Sequence, residues 1–167
     1  MTVCRLLRLC SLLMLGLLAS CASTSSRMAV PYEIVLTADE QLNPDATGRP
    51  SPVQVFVFEL RSGSTFESRD FFALQSDPQQ ALQADLLNVE QVVLRPGQTH
   101  RFKRPGDLQA TAVGVVVGYR QLDTSVWRVL LPLPESRTTN IYKFWQSAPD
   151  AVQVSLQLRK NAIHVVD

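Results

Sequence analysis

After residue 21 the chain has no cysteine: Cys4, Cys10 and Cys21 are the only three among 167 residues. A fold built from later residues therefore has no internal disulfide, and no thiolate to act as nucleophile or zinc ligand. Histidine is almost as scarce. His100 and His164 are the only two, each inside an alternating strand pattern without a nearby carboxylate or second histidine. Neither G-x-S-x-G nor H-E-x-x-H occurs, and no glycine-rich loop could cradle phosphate. The carboxylate pairs Asp39/Glu40 and Glu67/Asp70 fall on a loop and at a helix start, where solvated or capping roles are the ordinary ones. An excess of one charge is also missing, with 16 basic residues against 15 acidic, so there is no electrostatic case for nucleic acid. The longest early apolar run, Leu9 to Ala19, has about 11 residues where a bilayer span needs about 20. These absences argue against an enzyme or a metal protein and leave a binding or structural module.

What is present at the start is ordered: Arg5 and Arg8, then the uncharged run to Ala19, then Ser20 before Cys21. That sequence of basic, apolar and small-residue regions reads as an export signal over residues 1–20. Leu18-Ala19-Ser20-Cys21 resembles the lipobox of bacterial lipoprotein precursors. The resemblance implies that the Cys21 thiol is diacylated, the signal is cut before it, and the new amino terminus is acylated; no other cofactor is expected. One acyl chain holds a protein only marginally, whereas three hold it firmly. Acylation also accounts for an odd exported cysteine that would otherwise be an exposed free thiol. Ala22 stands where inner-membrane retention usually shows Asp, which by the same resemblance points to the outer membrane, facing the periplasm. Without residues 1–20 the chain carries 14 basic and 15 acidic residues. Residues 21–31, the cysteine followed by Ser-rich "ASTSSRMAVP", read as a flexible tether whose ten residues reach at most about 35 Å.

From residue 32 to 167 short apolar runs rich in β-branched residues recur between turn signals: 33–36, 53–60, 90–94, 99–103, 110–119, 125–133, 139–145, 151–158 and 162–166. This spacing predicts an all-β sandwich or barrel in one domain. Val152, Val154, Leu156 and Leu158 alternate with polar residues, giving a strand with one wet face. Strand 53–60 differs, with Val53, Val55 and Val57 opposite Phe56 and Phe58, so both faces need cover. Gly114 and Gly118 share one face of strand 110–119, predicting close approach or a bend. Arg95-Pro96-Gly97-Gln98 and Arg104-Pro105-Gly106-Asp107 read as type II turns, and Lys160-Asn161 as a tight connection. A helical insertion is expected at about 64–87, with helices near 67–74 and 78–85. Ser64-x-x-Glu67 would be a capping box, and Asp77-Pro78 an N-cap followed by proline at the first helical position. Phe66, Phe71, Phe72 and Leu74 would cover the second apolar face of strand 53–60.

The connection Asp39–Pro52, "DEQLNPDATGRPSP", is long for a domain whose other links are short. Pro44, Pro50 and Pro52 restrict its backbone, so it loses less entropy on docking than a Gly/Ser loop would. It reads as a semi-rigid recognition loop; the plainer alternative is a long strand crossover.

Leu42-Asn43-Pro44-Asp45, Gly48-Arg49-Pro50-Ser51-Pro52-Val53 and Asp70-Phe71-Phe72, with Phe56, Leu60, Phe66, Asp85-Leu86, Pro96-Gly97, Tyr119-Arg120 and Trp127-Arg128, resemble the outer-membrane lipoprotein family of type VI secretion systems, TssJ, also called VasD or SciN. Gln83-Ala84-Asp85 departs from the pattern, lacking an expected glycine. The resemblance implies a transthyretin-like two-sheet sandwich with a short helical insertion and no enzymatic role. It also implies binding to the periplasmic carboxy-terminal region of TssM within a TssJ-TssL-TssM membrane complex, through the loop that here carries Leu42, Asn43, Pro44, Asp45, Gly48, Arg49 and Pro50. The alternative is a periplasmic lipoprotein that binds glycan or peptidoglycan, for which Trp127, Tyr142 and Trp145 are the candidate aromatics.

Overall fold

The computed structural model describes residues 25–140 and 151–166. The expected signal, Cys21, Tyr142, Trp145 and the expected strand beyond Asn140 lie outside the described residues. The chain divides into two compact units. One contains the pairing of β1, Ser25–Met28, with β8, Arg137–Asn140. Residues 25–28, expected to be tether, are therefore strand: polar and serine-rich though they are, they find a partner far along the chain.

The larger unit is a sandwich. Its first sheet runs in the order β10 (Ile163–Val166), β9 (Val152–Leu158), β2 (Tyr32–Ala38), β5 (Thr99–Arg104). The second runs β4 (Leu86–Leu94), β3 (Val53–Leu60), β6 (Ala112–Val117), β7 (Arg128–Pro132). Only β2 with β9 is parallel among these pairs; Ile34 lies opposite Val154 on one side and Phe102 of antiparallel β5 on the other.

Alternation decides the core. Ile34, Leu36, Leu156 and Leu158 of the first sheet pack against Val55, Val113, Val115 and Val117 of the second, all essentially without solvent exposure. Tyr32 donates a hydrogen bond from its hydroxyl to Glu59 Oε1 of β3 at 2.9 Å. The opposite face of β3 forms a second core, in which Phe56, Phe58 and Leu60 meet Phe66, Phe71, Leu74 and Leu82. The helical insertion is thus the cover that a strand apolar on both faces demands.

That insertion is three helices rather than two: α1 (Ser64–Ser68), α2 (Phe71–Ser76) and α3 (Pro78–Leu82), followed by a 3-10 turn at Gln83–Asp85. The expected capping box does not form, since Ser64 is already helical and Gly63 precedes it without a side-chain cap. A side chain at Gly63 would collide with Leu130. The break comes at Asp70, whose carboxylate accepts the Ala73 N–H at 2.9 Å and starts a new helix. Asp77 caps α3 as expected, accepting from Gln80 N–H at 3.0 Å ahead of Pro78.

Gly114 supplies the close approach foreseen for it, because a Cβ there would lie 2.6 Å from the Phe66 ring. Phe72, in contrast, points outward and is 68% exposed, so it does not join Phe66, Phe71 and Leu74 in the cover. The turn at Arg95–Gln98 closes with Gln98 N–H to Arg95 O at 3.0 Å and Gly97 at φ +74°. In the second Pro-Gly segment Gly106 takes φ +82°, but the hydrogen-bonded turn falls later, with Ala110 N–H donating to Asp107 O. Lys160-Asn161 makes its tight connection, closed by Arg159 N–H to Ala162 O at 2.8 Å.

Candidate functional site

The loop between β2 and β3 is fixed at its base and open at its tip. Leu42 is fully buried in the inter-sheet core. Asn43 is the only buried polar residue among the described residues, and its backbone takes φ +46°, a left-handed conformation that Asn tolerates better than most. Its side chain makes two bonds that tie three segments together. Oδ1 accepts the Arg120 N–H at 2.8 Å, and Nδ2 donates to Pro52 O at 3.0 Å. Its own N–H donates to Lys160 O at 3.0 Å, joining the β9–β10 turn. Ser51 Oγ donates to Asn43 O and accepts from Arg120 Nε at 3.1 Å.

The tip is organised by Asp45. Its Oδ1 accepts the Thr47 hydroxyl at 2.6 Å and the N–H groups of Thr47 and Arg49 at 2.9 and 3.0 Å. Arg49 Nε lies 3.4 Å from Oδ2. The Thr47 hydroxyl first, then the Arg49 N–H, hold the Asp45 carboxyl down to about 2 from an ordinary 3.8. Gly48 at φ +83° completes the turn, donating to Asp45 O at 2.9 Å. The loop is thus a preformed shape; Ala46, Thr47, Gly48 and the Arg49 side chain, 83% exposed, are presented outward.

Of the residues singled out in the sequence, Leu42 and Asn43 hold the loop, while Pro44, Asp45 and Gly48 line a cleft of ≈ 370 Å³. Pro50 is half-buried beside Ser51. The same cleft is walled by Tyr119, Arg120, Lys160 and Asn161, which sequence reasoning did not place there. The Tyr119-Arg120 pair was visible as part of a family pattern, but nothing local says that Arg120 meets Asn43, 77 positions away. The Tyr119 hydroxyl is buried without a partner among the described residues, and burial raises its pKa. A second cleft, ≈ 520 Å³, adjoins the first through Arg120 and Gln121 and is lined by Phe72 and Leu122.

The remaining candidates take other roles. Trp127 is half-buried, with Phe71 edge-on at 5.7 Å and the Arg128 guanidinium 4.8 Å from its ring centroid. His100 packs edge-on against Phe102 at 4.6 Å, and His164 is exposed on β10.

Residues 31–161 match the sequence model of a family described as type VI secretion lipoprotein, VasD, EvfM, TssJ. Among solved structures, Serratia marcescens Lip, described as a membrane-bound component of the type VI secretion system, is 36% identical, with TM-score 0.73 over 83% of this chain and 97% of that one. The type VI secretion lipoprotein TssJ1 from Pseudomonas aeruginosa is 30% identical, with TM-score 0.72 over 83% and 95%. A structure described as the TssM C-terminal domain (869–1107) from EAEC shares the fold at 23% identity, with TM-score 0.61 over 82% and 98%. Among curated proteins nothing matches the chain.

Proposed function

The chain belongs to the type VI secretion lipoprotein family, and from that membership we propose that it is held by lipid on Cys21 in the outer membrane and binds the periplasmic C-terminal region of TssM, mooring a TssJ-TssL-TssM complex. The observation that carries this reading is the polarity of the sandwich. Strand β2 starts at Tyr32, next to the segment leading from Cys21, and ends at Ala38, where the loop cluster begins. Seven strand residues separate those ends by about 20 Å. The loop cluster therefore lies at the end of the sandwich opposite the one where β2 begins, and we assign that end to the periplasmic partner.

A preformed loop suits that role. The bonds of Asn43 and Asp45 fix the backbone before docking, so association orders little. The glycan alternative finds no support at Trp127, whose ring is already covered by Phe71 and Arg128.

The test is the affinity of the purified domain for the periplasmic C-terminal region of its own TssM. Ala46 is exposed at the tip, and no side-chain bond of the loop depends on it. Ala46→Trp is expected to weaken binding about tenfold or more at an unchanged melting temperature. Wild-type affinity in this variant, or no binding by the wild type, contradicts the proposal.

A further inference from the structure

The cleft beside the loop tip has an electrostatic imbalance that family membership does not explain. Its lining includes one carboxylate, Asp45, and two cations, Arg120 and Lys160. Asp45 is already satisfied by Thr47 and Arg49. Neither Arg120 nor Lys160 has a carboxylate within ion-pair distance among the described residues. Both side chains are exposed, yet neither position is free to drift. The Arg120 backbone is held by Asn43 Oδ1 and its Nε by Ser51 Oγ, which leaves the terminal guanidinium nitrogens to donate elsewhere. The backbone of Lys160 is fixed by the bond from Asn43 N–H to its carbonyl. Two cations from different loops thus flank one cleft, with the Asn161 amide on its wall.

We infer that this cleft receives an aspartate or glutamate side chain of the docked protein partner, clamped between Arg120 and Lys160. A guanidinium fixed through one nitrogen and open at the other two is suited to bidentate carboxylate contact, and an ammonium adds a second charge without demanding geometry. The neighbouring cleft says that the acid comes on a protein surface. It shares Arg120 and Gln121 with the first and carries Phe72, a phenylalanine 68% exposed. A side chain of that size exposed beside an unpaired cation matches a partner presenting an apolar residue next to an acid. The inference rests on the proposed TssM docking and adds the chemistry that docking uses.

The experiment measures affinity for the TssM periplasmic region in 50 to 500 mM NaCl, for wild type and for the Arg120→Glu/Lys160→Glu pair. The wild-type affinity is expected to fall with salt. The double variant is expected to bind at least about tenfold more weakly at low salt and to lose most of the salt dependence. Lys160→Glu alone keeps the test readable if the Arg120 change loosens the loop, since the Lys160 side chain makes no bond among the described residues; about threefold weakening is expected. A single Asp→Lys or Glu→Lys change in TssM should restore binding to the double variant and not to Ala46→Trp. Double-variant affinity within twofold of wild type, with Ala46→Trp still impaired, overturns the acid clamp and leaves the docking intact. No binding by the wild type removes both.

Discussion

Asn43 is the residue on which the loop depends. Replacing it by Ala leaves the Arg120 N–H and the Pro52 carbonyl without partners and puts a side chain with no local hydrogen bond into a left-handed backbone. Asn43→Ala should cost about 2–4 kcal/mol by denaturant unfolding, and Asn43→Asp, which keeps the acceptor and loses the donor, should cost less. Tyr119 gives the opposite expectation: its buried hydroxyl has no partner among the described residues, so Tyr119→Phe should leave stability unchanged or slightly raised in the same assay. Asp45 sets a pH window. Its folded value of about 2 lies below the ordinary 3.8, so its stabilisation of the tip is complete above about 4 and lost as pH falls through 2. Carboxyl chemical shifts should titrate with a midpoint near 2 in wild type and move back toward 3.8 in Thr47→Val. The sequence marked Asn43 and Asp45 as members of a site and gave no sign of which one holds and which one presents. That division is made by partners 77 positions away for Asn43 and by a local turn for Asp45.

At the scale of elements, the strands were legible because β-branched alternation is a short-range signal, and β3 announced its need for two covers through Phe56 and Phe58 opposite Val55 and Val57. The glycine at 114 was legible too, as a missing side chain whose space is taken by Phe66. Gly114→Ala should cost about 1–3 kcal/mol, and combining it with Phe66→Leu should cost less than the two single changes added together, as calorimetry can check. The helices were less legible. Capping signals at Ser64 and Asp70 fall within seven residues of each other; Gly63 precedes the first helix without a side-chain cap, and Asp70 caps the second. Phe72 misled for a related reason: it lies about 100° round the helix from Phe71, and Phe71 with Leu74 takes the buried face.

For the whole molecule, the two sheets, the cover and the ends follow from strand order. The Arg95–Gln98 turn, the Lys160-Asn161 turn, residues 118–124 and the β2–β3 loop collect at one end, while Pro105–Ala110 and the start of β2 lie at the other. The sandwich and its cover were legible in the pattern, but the strand order that gathers these loops at one end was not, because a parallel β2–β9 pair joins strands from opposite ends of the chain. The proposed lipid at Cys21 is tested separately from the fold. Cys21→Ser is expected to release the protein from the membrane fraction and abolish secretion while the purified domain keeps its melting temperature. The most direct test of the docking places a photo-crosslinking amino acid in the lipidated protein in cells, at Ala46 on the loop tip or at Leu108, exposed at the opposite end. Irradiation should yield an adduct with TssM from position 46 and none from position 108; an adduct from 108 alone would contradict the account.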